Sequence, residues 1–299
     1  SISAFCNAGF STLSGNLGNT LLIQNHGGFY LTISMLIILG GIGFPILVNL
    51  KNALFYHIRY AFSRLVRHQK PTRLPHLANL NTKIAVSATI ILLVTGTVAI
   101  AITEWNGAFA GMSLTDKLVH SFFNASTPRT AGFNSVSINH FSLLTLILYI
   151  ILMWIGGASQ STAGGIKVNT IGVAFASFMS TVRDEKSVTM FNRTITDKSV
   201  KRAFATIFGS VMVIIICFVT LLVLEPEIAA FDLLFETVSA LSTVGASMGI
   251  TATLTTASKV IVSAMMFIGR VGLITVAMSL FASRGHKHYQ LPEENVIIN

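Results

Sequence analysis

Six apolar runs constrain what this chain can become: residues 28–50, 82–103, 141–155, 166–182, 200–224 and 257–282. A helix needs roughly 20 consecutive apolar residues to cross the hydrocarbon of a bilayer. Four of the runs have them; 141–155 and 166–182 fall short. Soluble domains carry about 25% charged residues, whereas this chain has 10%, with 52% hydrophobic. The pattern specifies an all-α polytopic membrane protein. The opening Ser-Ile-Ser-Ala-Phe lacks a charged n-region and a cleavage pattern and does not read as a signal peptide. Cys6 and Cys217 lie in apolar surroundings, without metal-ligand spacing and too few for a disulfide framework.

Charge supplies orientation. Of 20 Lys and Arg, seven stand between Lys51 and Lys83, six between Arg183 and Arg202, and two at Arg284 and Lys287. The positive-inside rule puts these segments and the C-terminus in the cytoplasm. The other connections hold Lys117, Arg129 and Lys259 beside Glu104, Asp116, Glu225, Glu227, Asp232 and Glu236, and read as external. The net charge of +9 then reflects topology and attraction to anionic lipids, not nucleic-acid binding. Five of the eight histidines (His57, His68, His76, His286, His288) lie in the basic segments. No zinc site or catalytic constellation is expected, and the chain does not read as an enzyme.

Three short stretches share a pattern of small and polar residues around a glycine: 3–11 (SAFCNAGFS), 124–135 (NASTPRTAGFNS) and 238–249 (VSALSTVGASMG). Gly9, Gly132 and Gly245 stand 123 and 113 residues apart, which reads as an internal repeat. In the last two copies a span leaves the basic side and ends at Glu104 or Glu225. A segment too short to cross follows (115–125 or 229–241), then the glycine loop, then a returning span. The short segment and loop must therefore start and finish outside, as a re-entrant element. Non-helical backbone at membrane depth has to be buried in protein or line a watery cavity. Loops meeting at an axis would offer carbonyls to a dehydrated cation, as in potassium-channel filters. Glycine serves there by reaching backbone angles closed to other residues; close helix packing is the competing use of membrane glycines.

Between the two short apolar runs lies GGASQSTAGGIK, residues 156–167. Two Gly pairs do not suit a continuous lipid-facing helix, since each Gly costs roughly 1 kcal/mol relative to Ala. The two runs then read as halves of one broken helix; the competing reading is a cytoplasmic turn between two separate helices. Lys167 closes this stretch and Arg270 sits inside the last apolar run. Ionisable residues at that depth face a cavity or a partner. Arg129, beside a cation site, is expected to point away and to brace the loop through carbonyls or through Glu236 or Asp232.

These motifs, with GRVG at 269–272 and the ending YQLPEENVII at 289–298, resemble the Trk/Ktr/HKT superfamily of potassium transporters, on the Ktr (NtpJ-like) side, over essentially the whole chain. The resemblance implies helix, pore-loop, helix units around a pseudo-four-fold pore. Against that pattern the chain starts within the second pore helix: 1–78 ends the second repeat, 79–198 holds the third, and 199–299 holds the fourth and a cytoplasmic tail. It implies K⁺ coordination by backbone carbonyls at Asn7, Ala8, Gly9 and Phe10; Thr130, Ala131, Gly132 and Phe133; and Thr243, Val244, Gly245 and Ala246. It also implies an intramembrane gate of Gly156, Gly157, Ala158, Ser159, Gln160, Ser161, Thr162, Ala163, Gly164, Gly165 and Lys167, with Arg270 beside it. A homodimer and a cytosolic ring of RCK regulatory domains complete the implied assembly. The chain has no phosphate-binding GxGxxG, so no cofactor is expected on it, and nucleotide (ATP/ADP or NAD) is expected on the regulatory partner.

The expected function is gated, channel-like K⁺ uptake across the cell membrane, with the filter side external. The alternative is a secondary transporter coupling K⁺ (or Na⁺) to Na⁺ or H⁺, for which broken helices also fit and Glu236 is the best proton-carrying candidate.

Overall fold

Backbone polar groups find no partner in hydrocarbon, so a chain that enters it satisfies them within helices. The computed structural model describes residues 1–12, 16–18, 27–66 and 79–280. Its helices are α1 (Ile2–Phe5), α2 (Gly27–Ile42), α3 (Phe44–Val66), α4 (Leu80–Glu104), α5 (Leu114–Ser126), α6 (Leu143–Trp154), α7 (Val168–Val182), α8 (Asp197–Leu224), α9 (Ala230–Leu241), α10 (Thr256–Val271) and α11 (Leu273–Leu280). Among the described residues α4 and α8 are each long and apolar enough to cross a membrane, and α2 with α3 qualifies as a bent pair. Arg67, Lys70, Arg73, Arg284, Lys287, the histidines at 68, 76, 286 and 288, and the 289–298 ending lie outside the described residues.

The two short helices expected before the glycine loops are present as α5 and α9, with 13 and 12 residues. At 1.5 Å per residue each is about 18–20 Å long, well under the roughly 30 Å of hydrocarbon. Ser113 caps α5, its hydroxyl accepting the Asp116 N–H at 3.2 Å. At the other end Pro128 disfavours helix in the residue before it, and α5 stops at Ser126. α4 packs on α5, α6 and α7; α9 packs on α6, α8 and α10; α2 packs on α1 and α5. The largest core, with Ile100, Phe109, Tyr149, Met153 and Phe235, lies where α4, α6 and α9 meet. Between α7 and α8 the basic segment folds into a hairpin of β1 (Thr189–Met190) and β2 (Arg193–Thr194). Its turn residues Phe191 and Asn192 both have positive φ, as tight hairpin turns require.

Breakage of the returning helices is more general than the sequence reading has it. Run 28–50 does not form one continuous helix: α2 and α3 meet at about 100° across Gly43, whose φ is +88°. Run 257–282 breaks between α10 and α11 at Gly272, φ +98°. The third break is the expected one, between α6 and α7. There Ile155 and Ile166 form a parallel bridge, with Gly156 N–H donating to Ile166 O (2.8 Å) and Val168 N–H to Gly157 O (3.0 Å). The chain thus re-enters α7 in the direction it left α6, as halves of one helix must.

A pair of carboxylates read only as external charges turns out to organise the fold. At the end of α4, Glu104 Oε1 accepts from the Ser142 N–H (2.9 Å), the Ser142 hydroxyl (2.7 Å) and the Thr145 hydroxyl. At the end of α8, Glu225 Oε1 accepts from the Thr255 N–H and hydroxyl, both at 2.7 Å. Ser142 and Thr255 are the N-caps of α6 and α10. α4 and α8 therefore clamp the starts of α6 and α10 by a carboxylate placed at a helix N-terminus, where negative charge is favoured. The hydroxyls of Ser258 and Thr255 and the Thr255 N–H hold the Glu225 carboxyl below the usual carboxylate range. A depressed pKa adds stability that is fully present above the unfolded value of about 4.3 and is lost as pH falls through the folded one. In thermal melts of the complete protein, the deficit of Glu225→Gln relative to wild type should accordingly shrink below about pH 4.3.

Candidate functional site

Each glycine loop follows a helix C-terminus, where unpaired carbonyls and the helix dipole place partial negative charge. The N–H groups of the loops turn back onto that last turn. In the first, Asn7 N–H reaches Ala4 O (3.3 Å) and Ala8 N–H reaches Ser3 O (2.8 Å). In the third, Thr243 N–H reaches Ala240 O and Val244 N–H reaches Ser239 O, both at 3.0 Å. This pair of bonds is the Schellman closure of a helix, which requires a left-handed residue at its first position. Pro128 alters the second loop, where Ala131 and Gly132 N–H both reach Thr127 O (3.0 and 3.2 Å).

All three loops alternate in handedness. Asn7, Thr130 and Thr243 have φ of +51°, +76° and +54°, and two residues on Gly9, Gly132 and Gly245 have +73°, +71° and +78°. A positive φ is a genuine outlier for a β-branched residue, and here two threonines adopt it at matching positions. Alternation of this kind turns successive peptide groups so that like groups face the same side, and two N–H groups of each loop are taken up by the end of the preceding helix.

The loops lie side by side in chain order. A Cβ built on Gly9 would stand 2.6 Å from Ala131 O, and one on Gly132 would stand 2.1 Å from Val244 O. One on Gly245 would meet nothing within 4 Å. Asn7 Nδ2 also donates to Thr130 Oγ1 at 3.4 Å, joining the first positions of two loops. Thr130, Ala131, Gly132 and Phe133 are buried; Ala8, Phe10 and Gly245 are exposed. The middle loop is tied at both ends. Thr127 Oγ1 donates to Phe133 O (2.7 Å), while Asn124 Nδ2 donates to Ser135 Oγ (2.8 Å) and its Oδ1 accepts from the Tyr149 hydroxyl (2.7 Å). Asn16 Nδ2 donates to Gly132 O at 3.4 Å.

The 156–167 stretch is not a surface turn: Ala158, Ala163 and Ile166 are buried. On one side it meets the end of α1 and the α2–α3 break. Ala158 N–H donates to Gly41 O (2.9 Å), Thr162 Oγ1 donates to Gly40 O (3.1 Å), and a Cβ on Gly43 would stand 2.8 Å from Gln160 O. On the other side it meets the end of α9, where a Cβ on Gly164 would stand 1.9 Å from Thr243 Oγ1 and one on Gly165 would be 3.3 Å from Ser242 Cα. Ser161 Oγ shapes the bend, donating to Ala158 O (2.7 Å) and accepting from Ala163 N–H (3.2 Å), with half-buried Ser159 and exposed Gln160 between. The two cations hold it: Lys167 Nζ donates to Ala163 O and Arg270 Nη1 to Thr162 O. The stretch therefore lies across the chain segments that lead into the first and third glycine loops.

Arg129 is buried, as a brace should be, but its partner is neither expected carboxylate. Its Nη2 donates to Thr89 Oγ1 on α4 at 3.2 Å. Glu236, on α9, instead accepts from Thr251 Oγ1 at 2.6 Å. The reason is packing: α5 lies against α4, while Glu236 is turned to the 250–252 turn. Among the described residues no three His, Cys, Asp or Glu side chains gather in a metal-binding group.

Comparison with known proteins gives the family and the fold. The family described as TrkH, cation transport protein, matches residues 1–285. The chain is 36% identical over 303 residues to the potassium/sodium uptake protein NtpJ of Enterococcus hirae, covering 99% of this chain and 62% of that protein. It is 35% identical over 298 residues to the Ktr system potassium uptake protein B of Bacillus subtilis, covering 99% of this chain and 61% of that one. The chain thus spans about three fifths of the length of these curated relatives. Its fold is that of the potassium transporter TrkH from Vibrio parahaemolyticus, with a TM-score of 0.72 at 17% identity over 94% of this chain and 57% of that one. The chain is a membrane protein of the TrkH family of cation transport proteins.

Proposed function

We propose that this chain forms most of a channel-like path for K⁺ uptake, with backbone carbonyls of the three glycine loops as the filter and the 156–167 stretch as the gate. The observation that carries the reading is the alternation of left-handed positions in three loops, each lodged at a helix C-terminus and each glycine but the last pressed against its neighbour's carbonyl. Dehydrated K⁺ requires such a row of carbonyls, which need no carboxylate. In this reading the loops belong to repeated helix, pore-loop, helix units with pseudo-four-fold symmetry, partitioned at 1–78, 79–198 and 199–299, the glycine loops facing outward and the basic segments the cytoplasm. The open space beside Gly245 is where a further loop would close the ring. The names of the Ktr system relatives support a membrane subunit that works with others, and we read the assembly as a homodimer on anionic lipid with a nucleotide-binding RCK ring below. Liposomes containing the complete protein should pass K⁺ well ahead of Na⁺ and exclude choline; equal passage of all three sinks the filter assignment.

Ion-coupled transport has one observation in its favour: Glu236 is buried with Oε2 unpartnered, near the third loop. K⁺ flux that is unchanged when Na⁺ and proton gradients are collapsed, and unchanged in Glu236→Gln, removes that reading.

A further inference from the structure

A cavity of about 210 Å³ lies behind the 156–167 stretch, walled by that stretch, by α8 and by the α10–α11 break. Two cations line it, Lys167 and Arg270, and no carboxylate does among the described residues. Each is tied to the stretch by one hydrogen bond to a carbonyl, at Ala163 and Thr162. An ammonium has three N–H donors and a guanidinium five, so most of their donors are not spent on those bonds. A third donor comes from Ser242, which is fully buried, lines the same cavity and has a hydroxyl without a hydrogen-bond partner. The lining also carries the hydroxyls of Thr170, Thr206, Ser210 and Thr275, of which Thr206 and Ser210 already donate to Arg202 O (2.8 Å) and Ile207 O (2.7 Å) within α8.

Two like charges lining one cavity repel each other unless compensated, and an unpartnered buried hydroxyl forfeits about 1–3 kcal/mol. Loop carbonyls compensate the cations only as dipoles. A single anion between Lys167, Arg270 and Ser242 answers all three deficits at once. The space suffices, since one water needs only about 10–15 Å³ of such volume. We propose that this cavity is a binding site for a small inorganic anion of the halide or phosphate class. By bridging Lys167 at the end of the stretch to Arg270 beside the Gly272 break, the anion fastens the stretch to the last helix. The site's occupancy is readable without any ion flux, so it stands or falls separately from the proposed ion path.

The test is a thermal melt of the complete protein in neutral detergent at constant ionic strength, with chloride or phosphate replacing gluconate. A ligand of the folded state raises the melting temperature saturably, and that is the expected result. Ser242→Ala removes a hydroxyl with no present partner, so it should melt in gluconate no lower than wild type. It should also need about tenfold more anion for half the shift, the loss of one hydrogen bond to a charge. Thr170→Val serves as a second variant, expected to weaken the response in the same sense. In crystals grown with bromide, an anomalous peak is expected between Lys167 and Arg270. A non-saturable shift, a response identical in Ser242→Ala, or a cavity without bromide overturns the proposal. So does a melt that answers only to added phosphatidylglycerol, which would assign the site to a lipid headgroup.

Discussion

Gly132→Ala should cost the complete protein at least about tenfold in K⁺ flux, and Gly9→Ala a comparable amount. Left-handed backbone costs an ordinary residue about 1–2 kcal/mol, and here a methyl group would also sit 2.1 Å from Val244 O, a backbone atom that cannot swing aside. The neighbouring loop must move, and with it the carbonyls a K⁺ ion would meet. Tenfold in an equilibrium is 1.4 kcal/mol, so strain alone reaches that figure before the displacement is counted. Gly245→Ala discriminates between readings. Within the described residues its Cβ meets nothing within 4 Å, so only the backbone strain at φ +78° applies. If a further loop lies beside it in the complete protein, Gly245→Ala should be as damaging as Gly132→Ala. Flux in liposomes, compared at matched amounts of folded protein, separates these outcomes. Normal K⁺ flux with undiminished preference over Na⁺ in Gly132→Ala would defeat the filter reading.

Hydrophobic runs pointed to the apolar helices and glycine spacing to the loops, because both are patterns of composition. What stayed hidden was conformational. Runs 28–50 and 257–282 are apolar across Gly43 and Gly272, so averaging hydropathy cannot show that each is broken at a left-handed glycine. The signal was present as a short motif: GGIGF at 40–44 and GRVGL at 269–273 place a glycine three residues after another, just where both helices turn. Gly40 and Gly269 play equivalent parts, for a Cβ on either would strike the carbonyl of Phe5 or Leu241, the last residue of α1 or α9. The stretch at 156–167 was legible because its break is long and polar; the others consist of one residue.

The carboxylate clamps were missed for a different reason. Glu104 and Glu225 looked like boundary charges, and their partners lie 38 and 30 residues away in Ser142 and Thr255. Two cues were available: Ser-x-x-Thr at 142–145 and Thr-x-x-Ser at 255–258, each at the start of a returning apolar run. Capping residues predict a helix start, but which acid reaches them depends on how α4 and α8 pack. The Arg129 expectation failed similarly. The buried guanidinium was expected to meet loop carbonyls or the carboxylate of Glu236 or Asp232, whereas the fold offers it the hydroxyl of Thr89. Side-chain partners across elements follow from packing, which composition does not encode.

Deleting residues 158–164 should raise K⁺ flux, the opposite sign to the glycine substitutions. The stretch occupies space beneath the first and third loops through contacts at Gly41, Gly43 and Thr243, while the Ile155–Ile166 bridge lies outside the deleted residues. Removing the bend between its two anchored ends leaves α6 and α7 joined and clears the obstruction. Arg270→Ala should act in the same direction but less, because it takes away one bond, to Thr162 O, and leaves Lys167, Thr162 and Ala158 holding the stretch. A single hydrogen bond from a charged donor contributes about 1.5–3 kcal/mol, enough to shift a closed conformation toward open about tenfold or more. Neither change replaces a residue of the proposed filter loops, so preference for K⁺ over Na⁺ should survive while flux rises. That pairing matters: a rise in flux with lost selectivity would indicate a damaged filter, and unchanged or lower flux in folded protein would take the gate role away from this stretch. Combining the deletion with Arg270→Ala should add little, since the arginine then has no Thr162 carbonyl to hold, and a large further increase would mean that Arg270 impedes ions by its charge instead of by its grip.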